Sequence, residues 1–250
     1  MKKIVFLFIG TLLLSACNTS KKDLDAEVAV HFSHHWESTA ITSADFNVLK
    51  FTNENGEMLS IEGLRYVVSN VILTNNNHEV YELSNYQLID LGENQVAIQA
   101  VEIPTGTYTL SFIFGFTDSK NTDGIYPDLN SVSFNVPGML GGGYHYMQFD
   151  GKYVGENVAP APFNYHTIRA INRTDPANLI LKDTSFNVNL GMISITNNTE
   201  IEIKMNIAEW FRNPNTWDLN QLNTVLMPNF EAQILMNQNG RTVFSLGEVY

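Results

Sequence analysis

Cysteine occurs once in the 250 residues, at Cys17. A disulfide within the chain is therefore excluded, and so is a zinc site built on several thiolates. Basic residues are also scarce. Lys plus Arg number 14 against 26 Asp plus Glu, for a formal charge of −12. Binding to a phosphate backbone or to an anionic membrane surface needs a basic face, which argues against both partners. Charged residues of either sign make up 16 % of the chain, below the roughly 25 % usual in globular domains. The apolar share of 44 % is enough to build a core. An apolar run of about 20 residues, the length needed to span a bilayer, is missing; Ile4–Leu14 has 11. H-E-x-x-H, G-x-S-x-G and a Gly-Lys-Ser/Thr phosphate loop are all absent. The usual sequence signs of a zinc peptidase, a serine hydrolase or a nucleotidase are thus lacking. No enzyme is expected.

What is present begins at the N-terminus. Lys2 and Lys3 precede the short apolar stretch, which ends in Leu14-Ser15-Ala16-Cys17. A basic start followed by such a stretch has the form of a secretory signal. Leu-Ser-Ala-Cys resembles the lipobox of bacterial lipoproteins, whose Cys is acylated and becomes the new N-terminus. The expected organisation is a signal peptide over 1–16, lipidated Cys17 with a polar tether over 17–25, and one domain over 26–250. Acylation would anchor the chain in a membrane and leave no thiol for nucleophilic chemistry. Asn18, rather than Asp, after the Cys points to the outer membrane.

From Glu27 onward, apolar and polar residues alternate in short runs punctuated by Gly, Pro and Asn. Strands are expected at Val28–Phe32, Phe46–Thr52, Arg65–Thr74, Glu79–Leu83, Tyr86–Leu91, Val96–Ile103 and Tyr108–Phe116. Further strands are expected at Tyr144–Phe149, Phe163–Ile171, Leu179–Leu190 and Glu200–Ile207. Turns every 8–12 residues or so favour an antiparallel, immunoglobulin-like β-sandwich. One short helix is expected over Asn229–Asn239, with Asn229 as cap and Gly240 as stop. The long loop Asp118–Gly143 is of a kind often functional. Its Asp118–Asn130 part offers oxygen ligands but lacks the end residues of an EF-hand. Gly141-Gly142-Gly143 is expected to let the backbone bend or approach another segment closely.

Six histidines carry the remaining chemical interest: His31, His34, His35, His78, His145 and His166. Alternate strand residues share a face. Val28, Val30, Phe32, His34 and Trp36 form an apolar row that should point inward, with His34 and Trp36 roughly 7 Å apart. His31 and His35 fall on the other face. His145, Met147 and Phe149 share a face downstream, and an imidazole beside a thioether is a setting that suits copper. His166 lies on a third segment. A sandwich could gather His34, His145 and His166 at one end. His78, after three Asn, is expected in a solvated turn.

The chain resembles the MbnP-like family of secreted and lipid-anchored proteins linked to copper handling. The likeness runs in order through Val30-His31-Phe32-Ser33-His34, Phe51–Glu57 and Leu64–Leu73. It continues through Tyr86–Asp90, Ile103–Tyr108, Gly143-Tyr144, Phe149-Asp150-Gly151 and Phe163-Asn164-Tyr165-His166. The resemblance implies a β-sandwich that binds copper outside the cytoplasm, with His34 and His166 as the best-matched ligands. His145 and Met147 are added as candidates. In related proteins a tryptophan between ligands is oxidised by a di-haem partner of the peroxidase type. Trp36, beside His34, is the natural position for that role here. Many relatives carry tryptophans just before the Gly-Tyr, where this chain has Pro137–Gly142. The leading expectation is a non-catalytic, lipid-anchored copper-binding protein in copper uptake or storage. The alternative is a metal-free surface lipoprotein that binds a ligand or protein through the Asp118–Gly143 loop. A carbohydrate-directed enzyme would require two buried carboxylates facing each other in a cleft.

Overall fold

The alternation read at the start of the domain continues further than expected. Strand β1 runs Asp25–Trp36, and every second residue from Ala26 to Trp36 is buried. This computed structural model describes residues 25–156, 159–175 and 177–250. The expected signal segment, Cys17 and the tether up to residue 24 lie outside the described residues. Among the described residues, no helix is long and apolar enough to cross a membrane.

Short strands β2 (Thr39–Ala40), β3 (Phe51–Thr52) and β4 (Met58–Leu59) precede the long β5 (Gly63–Asn75). Asn75 to His78 turns the chain into β6 (Val80–Asp90), followed by β7 (Ala97–Pro104) and β8 (Gly106–Phe114). After the long loop come β9 (Met147–Val154), β10 (Ala161–Thr167), β11 (Ala170–Asn172) and β12 (Ile180–Lys182). The chain ends with β13 (Phe186–Ile195), β14 (Thr199–Asn206) and β15 (Phe244–Val249).

One sheet has the order β15-β14-β1-β2, with β7 also on β1. The other has the order β13-β8-β5-β9-β4-β3, with β6 on β5 and β10 on β9. The expected β-sandwich is the fold found. Phe32 of the first sheet packs edge-on against Tyr66 (6.1 Å) and Phe112 (6.0 Å) of the second. Its ladders are antiparallel among the described residues, except that β1 and β14 run parallel from Val28↔Thr199 to His35↔Asn206.

Helix α1 (Pro127–Ser131) lies within the Asp118–Gly143 loop, and α2 (Phe230–Gly240) near the C-terminus. The expected cap of α2 is in place: Asn229 Oδ1 accepts from the Ala232 amide at 3.1 Å. Several strands differ from expectation: 79–83 and 86–91 form the single β6, and 144–149 is strand only from Met147. The segment 46–52 is strand only at Phe51–Thr52; Asn47, at φ 61°, breaks the extended backbone ahead of it. The expected strands at 163–171 and 179–190 each divide in two. β15 was not anticipated.

The three consecutive glycines behave as expected: all have positive φ, from 66° to 95°. A side chain at Gly143 would collide with Asn121, whose Oδ1 accepts from the Tyr144 amide at 2.7 Å. Gly115 plays the matching part across the sheet, at φ 79° with the Tyr146 ring lying directly over its Cα. These two glycines let the chain from Gly143 to Tyr146 settle against β5, and so deliver His145.

Candidate metal centre

The strand registers decide which histidines meet. Tyr66 pairs with Met147, and Met147 with Thr167, so these three share one face of the second sheet. Tyr66 contacts Phe32 and His34, which makes that face the inner one. Arg65, Gln148 and His166 are in register one residue along, and therefore point outward. His34 and His166 thus stand on opposite sides of the same sheet. The structure does not bring the two best-matched positions together.

His34 lies in the core. It is 3 % exposed, and its Nε2 pairs with the Tyr66 hydroxyl at 3.1 Å. Burial, with a smaller effect from the neighbouring His35, pushes its pKa down to about 3. Trp36 is enclosed between Phe51 (5.0 Å, stacked) and Phe211 (5.9 Å). Met147 is fully buried on the inner face, not beside His145. The expected face-sharing of His145, Met147 and Phe149 fails because β9 begins only at Met147. Just before it, Tyr146 N donates to Thr167 O (2.8 Å) and Tyr146 O accepts from Val67 N (2.9 Å). That irregular step turns His145 onto the outer side.

There His145 meets His166. Their ring centroids are 5.5 Å apart and nearly perpendicular, at 85°. His145 is 4 % exposed. Its Nδ1 donates to the Phe134 carbonyl at 3.0 Å, so Phe134, carried by the long loop, sets its tautomer. Burial lowers its pKa to about 4, against the raising effect of the Phe134 bond. The imidazole is therefore neutral at pH 7, the form that binds a metal. His166 donates Nε2–H to Asp150 Oδ1 at 2.8 Å, which leaves Nδ1 as its open nitrogen. Asp150 also accepts from Asn164 Nδ2 at 2.6 Å. Burial works against the Asp150 carboxylate, but these bonds outweigh it and hold its pKa below the ordinary range. A carboxylate behind a ligand histidine is the usual device for fixing its ring.

The loop before α2 closes the site with Met227, whose Sδ lies 3.2 Å from His145 Nε2. Met227 packs on a small cluster of Val136, Leu140 and Ile168. Sequence reasoning missed Met227, Asp150 and Phe134. Asp150 is legible as an outward neighbour of His166 only once the β9–β10 register is known. Met227 has no periodic signal at all.

Among the described residues, no group of three or more His, Cys, Asp or Glu side chains is placed to hold a metal ion. The His145–His166 pair offers two nitrogens, and any further ligand must be of another type. The remaining histidines stand apart. His31 Nδ1 lies 3.1 Å from Glu200, His35 pairs with Ser33 Oγ at 3.0 Å, and His78 is exposed in a turn. The Ser33 hydroxyl is committed to Glu202 at 2.6 Å, so it is not an activated nucleophile. Glu57 and Asp218 meet around the Asn220 amide. Glu57, however, also accepts from the side chains of Asn53, Asn55 and Asn220, which ties it into a structural hydrogen-bond network.

The family model for MbnP matches residues 25–228. The chain belongs to the MbnP family. Among solved structures it is similar to MbnP from Methylosinus trichosporium, with a TM-score of 0.57 and 13 % identity. That alignment covers 90 % of this chain and 99 % of the other. At this identity the likeness is one of fold. No curated protein compared with the chain matches it. In this MbnP-family chain the match ends at Pro228, so α2 and β15 lie beyond it and Met227 just inside.

Proposed function

We propose that this MbnP-family protein is a lipid-anchored, extracytoplasmic copper-binding protein, non-catalytic, acting in copper uptake or storage. The observation that carries the reading is the meeting of His145 and His166, from two segments, with ring centroids 5.5 Å apart and each ring tied at its other nitrogen. Family membership supports it, because the sequence resemblance links the family to copper. So does the formal charge of −12, which draws cations toward the surface. In this reading His145 binds through Nε2 and His166 through Nδ1, and copper is the cargo. Asp150 holds the His166 ring and offsets part of the added positive charge.

His34 is not a ligand in this reading, because it is buried across the sheet with Tyr66. Trp36, shut between Phe51 and Phe211, is likewise outside the ligand set. A di-haem partner of the peroxidase type has no exposed indole to address at that position. Lipidation at Cys17 would hold the domain at the outer membrane by a tether entering β1.

The test is copper stoichiometry by elemental analysis of the Asn18–Tyr250 protein, loaded and then desalted. A single copper per chain, lost in His145→Ala/His166→Ala and kept in His34→Gln, supports the reading. Equal retention by wild type and the double variant overturns it. Loss of membrane partitioning in Cys17→Ser tests the anchor. The metal-free alternative predicts no retained copper in any of these proteins.

A further inference from the structure

The contact between His145 and Met227 is unusual in what it lacks. Phe134 O takes the Nδ1–H of His145, so Nε2 of the neutral ring carries a lone pair and no proton. A thioether sulfur also carries lone pairs and no proton. The two atoms nevertheless face each other at 3.2 Å. Two electron-pair donors with no hydrogen between them are held favourably by a cation. With metal–nitrogen near about 2.0 Å and metal–sulfur near about 2.3 Å, a tetrahedral edge between such ligands is about 3.5 Å. The observed separation is close to that edge.

We propose that Met227 Sδ joins His145 Nε2 and His166 Nδ1 as the third ligand of a site for a soft monovalent cation, which by ligand softness is Cu(I). The inference rests on the copper reading of the His145–His166 pair and deepens it by naming a ligand and an oxidation state. Thioether sulfur favours Cu(I), whereas Cu(II) favours a tetragonal set of nitrogen and oxygen ligands. The surroundings agree. His145 is almost wholly buried, and apolar Val136, Leu140 and Ile168 back the Met227 side chain. His166 is the more open side of the site, with 18 % of its side chain exposed.

Met227 is also held in place. Gln233 of α2 donates Nε2–H to Leu226 O (3.2 Å) and to His166 O (2.9 Å), and accepts from Ile168 N (2.8 Å). One side chain therefore fixes the residue before the sulfur ligand and the backbone of the imidazole ligand together. Gln233 is a positioning residue for the site.

The test is an anaerobic Cu(I) titration of the Asn18–Tyr250 protein against a chromophoric Cu(I) chelator, with copper K-edge X-ray absorption on the loaded wild type. The expected spectrum has one sulfur and two imidazole nitrogens around copper. Met227→Leu, close in size and only half-buried, is expected to keep its melting behaviour and lose the sulfur signal. Its Cu(I) affinity should fall by at least about 10-fold, the lower end of what even ligand-orienting partners contribute, with Cu(II) affinity changed less. Copper bound through His145 and His166 with no sulfur signal, or unchanged Cu(I) affinity in Met227→Leu, overturns the inference and leaves the copper reading standing. Wild-type Cu(I) affinity in His145→Gln/His166→Gln, or no copper bound by the wild type, overturns the copper reading itself.

Discussion

Gln233 and His166 are joined by a hydrogen bond from the Gln233 amide to the His166 carbonyl, 2.9 Å long and partly buried. The same amide group serves the Leu226 carbonyl and the Ile168 N–H. Removing it would take this partner from the Ile168 N–H and the His166 carbonyl, while the Leu226 carbonyl keeps the Asn229 amide at 3.1 Å. Gln233→Leu is expected to cost about 2–5 kcal/mol, since each unsatisfied buried group costs about 1–3 kcal/mol and some regain water on relaxation. Urea unfolding of the metal-free protein measures this. A loss below about 1 kcal/mol, the worth of one ordinary hydrogen bond, would show that these bonds do not organise the region.

Asp150 makes a separate prediction. It holds His166 through Nε2, and Asn164 holds Asp150. Asp150→Asn keeps the size but weakens the hold on the ring. Copper affinity should fall by about 10- to 100-fold, the range for ligand-orienting partners. Equilibrium competition for copper reads this, with thermal melting as the check that the fold is kept. Unchanged affinity would place Asp150 outside the site's working parts.

The buried pair His34 and Tyr66 makes one contribution to the pH dependence of stability. The folded pKa of His34, about 3, is below its ordinary value of 6.5, because burial disfavours the charged ring. Between those values the unfolded chain holds the extra proton, so stability rises with pH and falls as pH drops below 6.5. The slope is up to about 1.4 kcal/mol per pH unit for this one group. His34→Gln, which can still meet the Tyr66 hydroxyl, should show a flatter decline from pH 6 to pH 4 in denaturant titrations. Parallel profiles for variant and wild type would contradict the assignment.

Gly115 tests how the site is delivered. Its φ of 79° disfavours any side chain, and a methyl group there would run into the Tyr146 ring. Gly115→Ala should destabilise by about 1–3 kcal/mol from backbone strain alone, and displace Tyr146. Because Tyr146 follows His145, copper affinity should fall as well. Calorimetric melting and copper competition on the same variant separate the two effects.

Much of the fold was legible because strand alternation is a local property. The row Val28, Val30, Phe32, His34, Trp36 points inward as its apolar character required, and the Asn229 cap and the three glycines sit where short-range chemistry puts them. Composition alone limited the chain to an acidic, thiol-poor protein, and the alternation of short runs made it mostly β. The choice of metal partners for the histidines was not legible. Alternation states which residues of one strand share a face, but not which face a neighbouring strand turns toward it. Tertiary structure decided that the β5–β9–β10 register turns His166 outward, across the sheet from His34, and that the irregular step at Tyr146 carries His145 across to join it. It also brought Met227 from a loop 82 residues away, because the apolar packing of that loop and the Gln233 hydrogen bonds are long-range interactions with no period in the sequence.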